Sequence, residues 1–126
     1  MLKIRARQFG IFSKSAIIDF EERMKLHLKK FFPEHCAALG DEDLVEMIRY
    51  GIESAEKYQI EIERDVCIYI DLMFTLGQEF DTDPELPWVA EILGSEDIPS
   101  PTARIDALYE ETQRQLQAAG STDGRR

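Results

Sequence analysis

The residues of this chain best equipped for chemistry are two histidines and two cysteines: His27, His35, Cys36 and Cys67. Together they could make a zinc site, or a thiol activated by an imidazole. Their spacing speaks against both. It matches no recurring zinc-ligand pattern, and the neighbours His35 and Cys36 cannot easily turn onto one tetrahedral ion. A cysteine nucleophile would also need an orienting acid and an oxyanion hole, and no motif announces either. Cys67 lies in an apolar run, where a thiol is ordinarily inert packing.

A second cluster, Asp81, Asp83 and Glu85, resembles the opening of a calcium loop. The pattern then breaks: Leu86 stands where the loop needs glycine, Pro84 intrudes, and Ile92 takes the final acidic position. The expectation is therefore no metal and no cofactor, with the aspartates bonding backbone amides ahead of Pro84. There is no glycine-rich phosphate loop, no G-x-S-x-G and no H-E-x-x-H. No catalytic residue is nominated, and the chain reads as a non-enzyme. What the loop offers instead is a protein-binding surface made of Asp81, Asp83, Pro84, Glu85 and Trp88. Two prolines stiffen it and bias the preceding residues toward extended backbone, so it is expected to project. Trp88 serves either as a core anchor or as a partner anchor, tryptophan being enriched at interface hot spots.

The elements that must carry these groups are helical. Val66, Tyr69, Ile70, Met73 and Leu76 recur at helical spacing, and Cys67, Ile68, Leu72 and Phe74 fill the opposite side. A helix apolar nearly all round is a central one, so 63–76 is placed in the middle with Gly77 as its stop. Ile17, Phe20, Met24, Leu28 and Phe31 form a stripe on a first helix capped by Ser13 or Ser15. Pro33 ends that helix or starts a turn through Leu39, and Gly40-Asp41 breaks and caps. A second helix from about 42 to 57 buries Leu44, Ile48, Ile52 and Ala55. Gly51 inside it costs roughly 1 kcal/mol against alanine, which implies close contact with another helix. Ile70 and Met73 are expected fully buried against Ile48, Ile52 and Phe20. A short helix starts near Pro87. Ser100 caps and Pro101 opens the last one, with a stripe of Ile105, Leu108, Tyr109, Thr112 and Leu116. The prediction is an all-α, compact bundle of four long helices and one or two short ones. An N-terminal arm spans 1–12, the helical domain 13–118 and a disordered tail 119–126.

At 126 residues and 44% hydrophobic content, one domain can bury its core without disulfides or metal. Two cysteines in apolar surroundings suggest reduced thiols and a cytoplasmic setting, and the first twelve residues hold no continuous apolar stretch of the kind a secretory leader needs. The net charge of −10 is uneven: residues 1–30 carry eight Lys or Arg against three acids, whereas 31–119 carry five against twenty-one. Such a body repels a phosphate backbone, so no nucleic-acid partner is expected. The central apolar run is too short and too interrupted by Asp65 and Asp71 to span a membrane. The basic first part is expected either to present a solvated face, to fold back on the acidic body, or to meet an acidic partner.

The stretches F-F-P-E-H-C-A-A-L-G (31–40), I-R-Y-G-I-E-S-A-E-K-Y (48–58), E-R-D-V-C-I-Y-I-D-L-M-F-T-L-G (63–77), F-D-T-D-P-E-L-P-W-V-A-E-I-L (80–93) and P-T-A-R-I-D-A-L-Y (101–109) resemble a family of small bacterial proteins. That family is encoded in type VI secretion operons, beside PAAR-like spike-tip proteins, spike proteins and toxic effectors. The resemblance implies a cytoplasmic accessory protein: an adaptor or co-chaperone for effector loading, whose partner is an effector, an effector chaperone or a spike protein. The alternative it implies is an immunity protein that neutralises a neighbouring toxin. A second copy of the chain is a further candidate partner.

Overall fold

A computed structural model describes residues 11–124. Five α-helices follow one another: α1 (Ile11–Phe31), α2 (Pro33–Glu56), α3 (Glu63–Leu76), α4 (Pro87–Leu93) and α5 (Pro101–Gly124), with one 3-10 turn at Phe80–Thr82 between α3 and α4. The all-α architecture with four long helices and α3 at the centre is the one the spacing predicts. Among the described residues no helix is long and apolar enough to cross a membrane.

α3 is central because it is apolar on most of its circumference. Val66, Tyr69, Ile70, Leu72, Met73 and Phe74 are all buried. It packs against α1, α2, α5 and the 3-10 turn, while α4 sits on α5 and that turn. α1 and α5 flank α3 without packing on each other. α2 and α3 approach each other closely, and Gly51 makes it feasible: a Cβ there would stand 2.6 Å from Ile70 Cγ1 and 3.0 Å from Met73 Sδ. Ile70 and Met73 are fully buried, as expected, within the same core as Ile48, Ile52 and Phe20.

Ion pairs stitch α1 to its neighbours. Glu21, buried in the interface, accepts from Arg49 at 2.7 and 3.3 Å. Lys29 pairs with Asp41 at 3.0 Å, and Arg23 with Glu63 at 3.0 Å. Part of the basic first segment thus folds back on the acidic body. In the same first turn of α3, buried Asp65 receives Arg64 at 2.9 Å and the Thr102 hydroxyl at 2.6 Å, which ties α3 to the start of α5. The Ser100 Oγ accepts from the Ala103 amide at 3.1 Å, capping α5 as its sequence predicts.

Four boundaries differ from the sequence reading. α1 begins at Ile11, so Ser13 and Ser15 lie inside it rather than at its cap. The expected 1–12 arm falls outside the described residues except for Ile11 and Phe12, which open α1. Pro33–Leu39 is helical and continues into the second helix through a kink at Gly40, where φ is 81° and ψ 162°. Only glycine adopts that conformation without strain, so the break predicted at Gly40 bends one helix instead of separating two. α5 continues to Gly124, past the expected end of the domain at 118, and residues 125–126 lie outside the described part.

Candidate functional site

The apolar stripes of α1 and α5 are longer than the core they face. Phe20, Met24 and Leu28 of α1 and Ile105, Leu108 and Thr112 of α5 are buried, as their spacing predicts. Phe31, Tyr109 and Leu116 continue the same stripes but are 59%, 43% and 49% exposed. The reason is the separation of α1 and α5: past the middle of α3 neither helix has the other to pack against. The three side chains line one groove of about 390 Å³, whose floor is α3 through Asp71, Leu72 and Thr75. Sequence reasoning placed all three on the same apolar stripes as the buried residues. Periodicity shows which face of a helix is apolar, not how far its neighbour extends.

Two polar residues of that groove, His27 and Asp71, form with Cys67 a cluster which spacing did not assemble, Cys67 itself lining the hollow on the other side of His27. Cys67 and Asp71 lie one turn apart on α3, and His27 reaches them from α1. His27 Nε2 stands 2.9 and 3.0 Å from the two Asp71 oxygens and 3.8 Å from Cys67 Sγ. One donor atom from each of the three residues falls within 4.8 Å of the others. His35 is elsewhere, its ring 4.8 Å from that of Phe74, and Cys36 is a separate buried thiol. The four-residue zinc grouping weighed from sequence is thereby split, with Asp71 standing beside His27 and Cys67.

As nucleophile chemistry the arrangement is poor. A Cys–His–Asp relay needs the thiol on one ring nitrogen and the acid on the other. Here both face Nε2. Burial, then the charge of Asp71, pushes the Cys67 thiol up to about 12, so it stays protonated at neutral pH. Burial raises the Asp71 carboxyl as well, against the lowering effect of His27. As a donor set for a metal ion, an imidazole, a thiol and a carboxylate are a workable combination.

The Phe80–Trp88 loop is largely absorbed into the fold. Asp81 is 7% exposed and accepts the Tyr58 hydroxyl at 2.7 Å. Phe80 is buried, with its ring 5.0 Å from that of Tyr69. The first half of the loop therefore coils into the core instead of projecting, because Phe80 has more to gain from burial than the prolines have from extension. Asp83 accepts from the Glu85 amide at 2.9 Å, the backbone bond expected of it, and takes the extended geometry required before Pro84. Pro84 and Glu85 are exposed, and Trp88 is half-buried against the core. Nearby, Tyr50 donates to Glu79 at 2.7 Å.

No family model matches this chain, and no curated protein or solved structure matches it either.

Proposed function

We propose that the chain is a protein-binding accessory domain that acts by holding a partner rather than by catalysis, and that the groove between α1 and α5 is its contact surface. The observation that carries this reading is the exposure of Phe31, Tyr109 and Leu116 around one depression. Apolar side chains gathered in a rimmed groove are the mark of an interaction site. The acid surplus of residues 31–119 favours one class of occupant: an apolar segment of another protein flanked by Lys or Arg, drawn in by charge attraction. The resemblance of 31–40, 48–58, 63–77, 80–93 and 101–109 to proteins of type VI secretion operons is what supports a cytoplasmic role in this proposal. In that role the domain serves as adaptor or co-chaperone, holding an effector, its chaperone or a spike protein. Immunity toward a neighbouring toxin is the second reading, since a basic toxin surface fits the same acidic body.

The test is co-purification with the proteins encoded beside it, on the native chain and on Phe31→Ser with Leu116→Ser. Both side chains are exposed, so the variant should melt within a few degrees of the parent yet bind at least about tenfold more weakly. Binding to an effector stem or chaperone supports the adaptor. Binding to a toxin's catalytic domain with rescue of toxicity supports immunity. Undiminished binding in the double variant, with loss in Glu85→Lys, would move the interface to the Phe80–Trp88 loop.

A further inference from the structure

We infer that His27, Cys67 and Asp71 form a zinc site with three protein ligands and one position open to solvent. Nothing in this inference depends on the partner-binding reading above. Its basis is geometric. Cys67 and Asp71 are four residues apart on α3 and so share one face, and His27 approaches that face from α1. The imidazole nitrogen lies 2.9 and 3.0 Å from the carboxylate oxygens and 3.8 Å from the sulfur. Zinc bonds of about 2.0 Å to nitrogen or oxygen and about 2.3 Å to sulfur, spread tetrahedrally, separate their donor atoms by roughly 3.3–3.6 Å. The observed separations bracket that range, and all three donors lie within 4.8 Å of one another. Shifts of a few tenths of an ångström in the imidazole contacts would admit the ion between them, with the sulfur and carboxylate drawing together.

The donor set selects the metal. A thiolate with an imidazole and one carboxylate suits zinc, whereas magnesium and calcium ask for oxygen alone. Accessibility selects the type of site. His27 and Asp71 are only part-buried, 30% and 27% exposed, and His27 lines hollows on two sides, one toward Phe31 and Tyr109, the other toward Arg23, Glu63 and Arg64. Three ligands beside open space leave a fourth position for water or for a donor from a bound molecule, the arrangement of an exchangeable rather than a sealed zinc. On binding, the Cys67 thiol proton passes to bulk water as the sulfur–zinc bond forms. Without metal, Nε2 donates to the Asp71 carboxylate; on binding it gives up that proton and the neutral ring carries its one proton on Nδ1, so that the Nε2 lone pair goes to the metal.

The experiment is a titration of untagged, metal-free protein with cobalt(II), a spectroscopic stand-in for zinc, followed by zinc competition. The expected result is one cobalt per chain, with a thiolate-to-cobalt charge-transfer band and the intense visible bands of a four-coordinate ion, both abolished by one equivalent of zinc. Cys67→Ser should lose the charge-transfer band, and Asp71→Asn and His27→Gln should weaken binding by about tenfold or more. Cys36→Ser and His35→Gln should change nothing. Zinc should also raise the melting temperature of the parent but not of Cys67→Ser. Circular dichroism without metal verifies that each variant folds, and Asp71→Asn decides the matter should Cys67→Ser fail to. Absence of the bands in the parent overturns the site, as does their persistence in Cys67→Ser or their loss in Cys36→Ser.

Discussion

Tyr58 and Tyr69 lie close together, 6.3 Å between ring centroids, but their hydroxyls are differently served. Tyr58 donates to buried Asp81, whereas the Tyr69 hydroxyl is buried and finds no hydrogen-bond partner among the described residues. Tyr58→Phe strands a buried carboxylate and should cost about 1–3 kcal/mol in urea unfolding. Tyr69→Phe removes an unsatisfied group and should be neutral or stabilising by up to about 1 kcal/mol. The same pair sets an alkaline limit. Burial first, then Asp81, raises both phenols above their ordinary value. The unfolded chain therefore releases these protons first, near pH 10. The contribution of the neutral tyrosines is complete below that pH and declines above it. The double Phe variant should flatten this alkaline decline. At this scale the sequence was least informative. The Cys67–Asp71 spacing is visible on a helix, but His27 is forty residues from Cys67, and only the α1–α3 crossing angle joins them. Asp81 likewise was read as a bonder of backbone amides or a partner-facing acid, because its actual partner, Tyr58, lies in the turn after α2, outside the loop.

Helix α2 shows what a single glycine does for an element. At Gly51 the absence of a side chain sets the spacing between α2 and α3. Gly51→Ala gains about 1 kcal/mol in helix propensity but presses a methyl group into Ile70 Cγ1, close to the α3 backbone and unable to swing away. Overpacking of that kind costs about 1–3 kcal/mol. The variant should therefore be no more stable than the parent and less stable by up to about 2 kcal/mol, read from the urea midpoint at constant slope. This contact was legible: glycine inside an otherwise periodic helix implies a close neighbour. The helices themselves were legible for the same reason, and so were the Ser100-Pro101 opening of α5 and the Gly77 stop of α3. The start of α1 was not, because serines at 13 and 15 are acceptable inside a helix as well as at its cap. Nor was the end of the core along α1 and α5. Phe31 and Leu116 have the periodicity of buried residues, and what leaves them exposed is the absence of a neighbour.

For the whole molecule, α3 is the shared wall of every long-helix contact except α1 with α2. Met73, 1% exposed at its centre, touches the consequence directly. Met73→Asp places a charge inside the apolar core, a cost of several kcal/mol against a total stability of about 5–15 kcal/mol. The variant should lose its helical circular dichroism at 25 °C, and an unchanged melting temperature would contradict a core centred on α3. Nearly all the packing joins elements that follow one another in the chain: α1 with α2, α2 with α3, the 3-10 turn with α4, α4 with α5. Among the described residues, only α1 with α3 and α3 with α5 reach past a neighbour. The loops to be closed during folding are therefore small, and little chain entropy is spent before contacts begin to form. Such wiring belongs to chains that reach the native state within about microseconds to milliseconds. A domain of this kind can be complete soon after its last helix is made, before an unpaired groove has long been exposed to the wrong neighbours.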